Sequence, residues 1–159
     1  MEYSSHAGSF RDLRVYRKAV EIDLRIFALS KSFPKEERYS LTDQVRRSSR
    51  SVGAQIAESW AKRRYLAHFV SKLTDADAEQ METQHWLETE LRSNYVTLEE
   101  ISPLIEELQN VGRMLNGMIT KADSFCQPGP FVTKEETADY IVTPPPDGSR
   151  ITDHGSLPP

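Results

Sequence analysis

The last hydrophobic repeat of the chain constrains its fold more than any other feature of the sequence. Because an α-helix has 3.6 residues per turn, apolar residues at alternating spacings of three and four lie on one stripe of a helix. That spacing runs without a break through Ile101, Leu104, Leu108, Val111, Leu115, Met118 and Ala122. A stripe of this length must be buried, so the sequence predicts a helix that packs against other helices.

Three earlier segments predict three more helices. The first is predicted over residues 11–33 and ends before Pro34, because proline strains the residue that precedes it. The second is predicted over residues 40–62, where Ser40 and Asp43 resemble a capping box. The third is predicted over residues 65–93, with a seam of Leu66, Val70, Leu73, Leu87 and Leu91. The fourth begins at Thr97, since Glu100 three residues later completes a capping box, and Ser102-Pro103 offers a second start.

Four helices joined by short links pack most simply as an antiparallel up-down-up-down bundle, so the predicted fold class is all-α. We assign residues 1–9 to a flexible N-terminus, 10–123 to the bundle and 124–159 to a disordered tail. The tail segment holds seven of the nine prolines, and Tyr140-Ile141-Val142 is its only apolar cluster. No segment has the length of a membrane span or the pattern of a signal peptide, so we expect a cytoplasmic protein that does not contact membranes.

Charge is distributed unevenly along the chain, whose net charge is −4. Residues 44–64 carry six basic side chains against Glu58, whereas residues 75–107 carry ten acidic side chains against Arg92. One interpretation is two solvated helix faces of opposite sign. The other is a polarised surface that attracts a partner. The basic candidates are Arg46, Arg47, Arg50, Lys62, Arg63 and Arg64.

An ordered set of short motifs resembles a known family. Phe10-Arg11-Asp12-Leu13, Phe33-Pro34, Gln44-Val45-Arg46-Arg47, the segment 51–58 and Glu82-Thr83-Gln84 occur in that order. Over residues 10–122 the chain resembles the bacterial four-helix-bundle proteins encoded in intervening sequences of 23S ribosomal RNA genes. The resemblance implies a ring-shaped homopentamer with no established enzymatic activity. One relative with this fold, the accessory protein of diversity-generating retroelements, works with nucleic acid through a basic surface.

Neither catalysis nor metal binding is predicted from the residues. Glu82 and His85 match one Glu-x-x-His element of a di-iron bundle, but such a site needs two elements and further glutamates. We therefore expect no catalytic residues, no metal, no cofactor and no small-molecule substrate.

On the third helix, a polar layer interrupts the buried side, and Ser48, Ser49 and Arg47 are its predicted partners. The layer consists of Asp77, Gln80 and Gln84. These residues either fix the register of the helices or form a ligand site.

Two surface features suggest a subunit interface. Gly53, Ala57 and Ala61 form a stripe of small residues on the second helix, which we place away from the core. Trp86 is predicted to point outward from the third helix beside the acids Asp75, Glu79 and Glu82. Basic and acidic faces meeting head to tail can close a ring.

Two hypotheses remain open: a non-catalytic homo-oligomeric adaptor, expected to be a pentamer that binds a macromolecular partner, or a nucleic-acid-binding protein using the basic second helix.

Overall fold

The structure, a computed structural model, describes residues 7–126. Four long helices dominate this part of the chain: α1 (Arg14–Leu29), α2 (Leu41–Ala61), α3 (Leu66–Arg92) and α4 (Leu98–Thr120). A short helix, α5 (Ala122–Phe125), follows α4 directly. Turns of 3-10 helix flank α1 at Phe10–Asp12, Ser30–Ser32 and Lys35–Glu37.

The long helices form the predicted antiparallel bundle. Each packs against its neighbours in sequence, and α1 also packs against α4, which closes the arrangement. The contact between α2 and α3 is the most extensive. The up-down-up-down four-helix bundle is therefore confirmed. None of the helices in residues 7–126 is both long enough and apolar enough to cross a membrane.

The core confirms the pattern from which the fold was predicted. All seven apolar residues of the last repeat are buried, from Ile101 to Ala122. On α1, the buried positions follow the same spacing at Val15, Ala19, Ile22 and Ile26. The α4 helix runs unbroken through Pro103, so the second start at Ser102-Pro103 is not used.

The predicted seam of α3 was partly wrong. Leu66 is exposed and Val70 only half-buried, whereas the buried face runs at spacings of four and three through Phe69, Leu73, Ala76, Gln80, Thr83, Leu87 and Glu90. The buried face is thus rotated from the line that the leucines define. This buried face includes three polar or charged side chains, Gln80, Thr83 and Glu90.

The helix ends agree with the predictions at one site and contradict them at another. Thr97 Oγ1 accepts a hydrogen bond from the Glu100 amide at 3.3 Å, and the Thr97 amide donates to Glu100 at 2.7 Å, so this capping box is confirmed. The box at Ser40 and Asp43 is wrong, because Ser40 makes no capping hydrogen bond. Glu37 takes this role: its carboxylate accepts from the Ser40 hydroxyl and, at 3.3 Å, from the Leu41 amide.

The turn between α3 and α4 contains a residue with left-handed backbone geometry. Asn94 has φ 59°, a conformation that asparagine tolerates better than most residues. The amides of Asn94 and Tyr95 donate to the carbonyls of Leu91 and Glu90, each at 3.0 Å. This is the Schellman arrangement, which satisfies carbonyls that the end of a helix would otherwise leave unpaired.

The bundle extends slightly beyond its predicted C-terminal boundary. Phe125 stacks on Phe69 with ring centroids 5.9 Å apart, and Cys126 also packs on the core. At the other end, Ala7 contacts the core and Ser9 caps the first 3-10 turn. The remainder of the predicted flexible segments, including Tyr140-Ile141-Val142, lies outside the described residues.

The two different helix starts give a direct test of this assignment. Thr97→Ala removes a capping acceptor and should lower the free energy of unfolding by about 1 kcal/mol. Ser40→Ala removes no cap and should change it by less than about 0.5 kcal/mol. Urea unfolding followed by circular dichroism measures both. Equal losses for the two variants would contradict the assignment of Glu37 as the acceptor at α2.

Candidate functional site

Two of the predicted basic residues converge on one aromatic ring. The Arg46 guanidinium lies 4.8 Å from the ring centroid of Phe27, and that of Arg50 lies 5.6 Å from it. Lys31, which the sequence analysis did not single out, places its ammonium 4.8 Å from the same centroid. Arg46 is held further by a hydrogen bond of 2.7 Å from its Nε to Ser30 Oγ. We call Phe27, Lys31, Arg46 and Arg50 the Phe27 cluster.

The other four basic candidates lie elsewhere. Arg47 is exposed on the side of α2 that faces α3, where its charge opposes the burial that raises the pKa of Glu79. Arg63 lies 3.4 Å above the Trp60 ring and donates to the Trp60 carbonyl, and partial burial lowers its pKa. Lys62 and Arg64 are exposed in the turn after α2. The six residues therefore do not form one continuous basic patch.

The stripe of small residues lies closer to the core than predicted. Gly53 is buried, and a Cβ added there would lie 3.7 Å from Tyr16 and 3.9 Å from Val20 of α1. Gly53 therefore packs against a helix of its own chain, which contradicts its predicted position away from the core. Ala57 is half-buried and Ala61 exposed. The prediction failed because the stripe follows the edge of α2 that α1 covers.

An open groove runs between α1 and α2 beside this stripe. Its volume is about 260 Å³, and it is lined mainly by apolar and small side chains, with Asp23 and Arg50 among the lining residues. Val20 of α1 lines it and is 36% exposed, and Leu24, one turn further along α1, is 61% exposed. We call Tyr16, Val20, Leu24, Gly53 and Ala57 the α1–α2 face. It combines exposed hydrophobic side chains with small residues that allow close approach.

Two of the three acidic candidates on α3, Asp75 and Glu82, have side-chain partners among the described residues. Asp75 pairs with Lys72 at 3.4 Å, and Lys72 also reaches Glu58 of α2 at 2.9 Å. Glu82 accepts a hydrogen bond of 3.0 Å from the Trp86 indole. Trp86 is half-buried against the core, so the prediction that it points outward is wrong. It lies on the flank of α3, where the indole packs inward while its N–H reaches an exposed carboxylate.

The three residues predicted as a buried polar layer bond to one another, but only Gln80 is buried, whereas Asp77 and Gln84 are half-buried, and their partners differ from those predicted. Gln84 Nε2 donates to Gln80 Oε1 at 2.6 Å, and Gln80 Nε2 donates to Asp77 Oδ1 at 3.0 Å. This row lies against Gly112 of α4, where an added Cβ would come within 2.9 Å of Gln80 Nε2 and 3.1 Å of Asp77 Oδ1. The layer thus faces α4, rather than Ser48, Ser49 and Arg47 of α2.

The serines of α2 bond to other residues. Ser48 accepts a hydrogen bond of 3.0 Å from the buried Thr83 hydroxyl, and Ser49 donates to Asp23 of α1 at 2.8 Å. Thr83 was not predicted as a buried residue. The spacing from Gln80 and to Leu87 would have found it, because all three share the same face of α3.

The most unusual titratable group is Glu90, which the sequence analysis missed. It is fully buried near the C-terminus of α3, and neither carboxylate oxygen accepts a hydrogen bond from any residue that the structure describes. Burial raises its pKa to about 8. A carboxyl group in such surroundings is neutral at pH 7, because its charged form has lost water without gaining a partner.

The described residues carry no arrangement typical of metal or thiol chemistry. No group of three or more His, Cys, Asp or Glu side chains within residues 7–126 is placed to hold a metal ion. Burial raises the pKa of the Cys126 thiol, which keeps it protonated and weakly nucleophilic. What the surface offers is apolar contact, ion pairs and the cations around Phe27.

Comparisons with known proteins agree with this architecture. A family model described as 23S rRNA-intervening sequence protein matches residues 11–117. A crystal structure of a protein with unknown function from the S23 ribosomal protein family of Bacteroides thetaiotaomicron shares 31% sequence identity. That match covers 66% of this chain and 97% of the other, with a TM-score of 0.60. No curated protein matches the chain. Neither description names a catalytic activity.

Glu90 makes a testable contribution to stability. Its pKa in the folded protein lies above the unfolded value of 4.5, so folding favours the protonated form. Its contribution is greatest below pH 4.5 and is lost as pH rises towards 8, at about 1.4 kcal/mol per pH unit. Relative to Glu90→Gln, the wild type should lose stability over this range with that slope. Glu88→Gln, at an exposed position paired with Arg92, is the matched control.

The stability difference between each variant and the wild type is measured by urea unfolding at several pH values from 5 to 8. Subtracting the variant removes the titration of all other groups. A difference between the wild type and Glu90→Gln that does not change with pH would contradict the assignment of a buried, unpartnered carboxyl.

Gly112 and Gly117 form a matched pair for the polar layer. A Cβ at Gly117 meets nothing within 4 Å, so Gly117→Ala should stabilise by about 1 kcal/mol through helix propensity. Gly112→Ala should not give this gain, because the methyl group must displace Gln80 and its bond to Asp77. Thermal and urea unfolding of both variants measure the difference. Equal gains would show that α3 and α4 do not need the glycine to approach.

Proposed function

The chain belongs to the 23S rRNA-intervening sequence protein family, and from this premise we propose that it is a non-catalytic assembly protein. In this proposal, copies of the chain associate through the α1–α2 face into a closed homo-oligomer, expected to be a pentameric ring. The ring acts as an adaptor that presents its remaining surface to a macromolecular partner.

The exposed apolar part of the α1–α2 face carries this proposal. Val20 and Leu24 lie one helical turn apart on α1, so they expose neighbouring apolar side chains, of which Val20 lines the groove. Exposed apolar surface next to a groove is typical of a protein contact site. Removing such surface from water stabilises a contact by about 25 cal/mol per Å². The small side chain of the half-buried Ala57 leaves room for a neighbouring copy to approach the groove.

The counterpart on the neighbouring copy is proposed to be the outer side of α3. Met81 is 58% exposed there, beside the exposed Glu82. The Met81 side chain offers an apolar surface that suits the exposed Val20 and Leu24. Because the two surfaces differ, the contact is head to tail, and such contacts close into rings when the rotation between copies allows.

The assembly is tested by replacing an apolar side chain of the α1–α2 face with a charged one. In light scattering, the wild type should give a mass of about five subunits. Leu24→Glu should reduce the mass to that of one subunit, because a charge cannot be buried unpaired in an apolar contact. Leu98→Glu is the matched control: Leu98 is equally exposed, at 62%, but lies at the start of α4. It should leave the mass unchanged.

Circular dichroism shows whether each variant is folded. A wild type that is monomeric at micromolar concentration would overturn the assembly proposal. A folded Leu24→Glu variant with the mass of the wild type would move the contact to another surface.

A further inference from the structure

The Phe27 cluster brings together more positive charge than its surroundings neutralise. Each of its three cations lies within 6 Å of the Phe27 centroid, so they lie within roughly 10 Å of one another. The ion pair that the described residues offer them is with Asp23, whose Oδ1 lies 3.9 Å from Arg50 Nε. Asp23 also accepts the Ser49 hydroxyl. The cluster therefore retains an excess of two positive charges.

The donors of the cluster are available to a ligand. Arg46 uses its Nε to bond Ser30, and its two terminal amino groups have no acceptor among residues 7–126. The Lys31 ammonium forms neither a hydrogen bond nor an ion pair in the same part of the chain. Lys31 and Arg50 are both exposed. Several N–H groups from three side chains thus remain free at one place on the surface.

The arrangement is held in place before any ligand arrives. Contact with the Phe27 ring favours each cation, and the planar guanidinium groups stack on aromatic faces with little loss of hydrogen-bonding capacity. Ser30 further restricts Arg46. Fixing the donors in advance lowers the entropy that binding must overcome.

We propose that the Phe27 cluster is a binding site for phosphate groups. A carboxylate carries one negative charge and leaves the excess partly uncompensated, whereas a phosphate monoester, or successive phosphates of a nucleic-acid strand, supplies the charge that the cluster lacks. Arginine also matches phosphate oxygens with paired, parallel hydrogen bonds. The site goes beyond the proposed assembly function: it lies at the end of α1 distant from Phe10 and requires no second copy.

The test compares two double variants that lose the same charge from the full chain. Lys31→Gln with Arg50→Gln removes exposed cations of the cluster. Lys62→Gln with Arg64→Gln removes exposed cations from the turn after α2. Fluorescence anisotropy measures the affinity of each protein for a labelled single-stranded oligonucleotide of mixed sequence over a series of salt concentrations. Light scattering on the same samples reports the assembly separately.

The cluster variant should bind about tenfold more weakly at low salt, and the slope of log affinity against log salt should become shallower by about 1.4, since two phosphate contacts are lost. The control variant should keep the affinity of the wild type within about twofold. Equal losses in the two variants would show diffuse attraction and overturn the site, as would a wild type that does not bind at low salt.

A second arm identifies the source of the phosphate. Inorganic phosphate is titrated into the wild-type complex with the oligonucleotide at constant ionic strength. Competition at millimolar phosphate indicates a site for single phosphate groups, and its absence indicates that successive phosphates of a strand are required. Binding of polyglutamate that depends on the cluster, without any binding of the oligonucleotide, would replace the phosphate site with a contact for acidic polypeptides.

Discussion

The close packing of α2 against α3 is the constraint on which the rest of the structure depends. The buried face of α2 alternates apolar residues with serines, which are small enough to allow close approach. Ser48 and Ser59 donate to backbone carbonyls one turn earlier, at Val45 and Ile56, so their hydroxyl groups are buried without loss of hydrogen bonding. Ser48 also accepts from Thr83, which fixes the register of the two helices. The orientation of α2 then determines where its charged residues lie.

That orientation places neighbouring arginines in different surroundings. Arg46 and Arg50 are one turn apart and lie on the edge of α2 beside α1, where both guanidinium groups contact the Phe27 ring. Arg47 lies on the opposite edge, towards Glu79. The same edge that carries Arg46 and Arg50 continues into Gly53 and Ala57, so one side of α2 supplies both the apolar groove and the cations at its end. If the chain assembles as a ring, these cationic clusters repeat around it, and several weak contacts with one polymer act together.

The sequence allowed the bundle to be predicted because its strongest signals are local. The uninterrupted repeat from Ile101 to Ala122 fixes one helix and its buried side, and Thr97 with Glu100 fixes where that helix begins. The first helix, expected over residues 11–33 up to Pro34, is shorter: α1 covers Arg14–Leu29 and is flanked by 3-10 turns. The charged turn at Lys62 separates the next two helices closely enough that no predicted bound of α2 or α3 differs by more than one residue. These features depend on neighbours along the chain and need no knowledge of packing.

The errors arose where the side of a helix depends on other helices. On α3, leucines at Leu66 and Leu91 lie near the ends of the helix and drew the predicted seam away from the face that holds Phe69, Ala76 and Glu90. Gly53 looked like a surface residue because nothing in its own helix shows that α1 covers that edge. The contribution of Lys31 to the candidate site was hidden for the same reason: it lies 15 residues before Arg46 and meets it only through Phe27.

One carboxylate near the end of the bundle has a consequence for how the molecule opens. Glu37 accepts from the Leu41 amide at the start of α2 and, through its other oxygen, from the Tyr95 hydroxyl between α3 and α4. The two loops at this end therefore share a single acceptor, and fraying of either one releases a hydrogen bond in the other. At the opposite end, the turn between α2 and α3 is stabilised by a contact within the turn itself, in which the Arg63 guanidinium packs on the Trp60 ring. Local unfolding is thus cooperative at one end of the bundle and confined to one turn at the other.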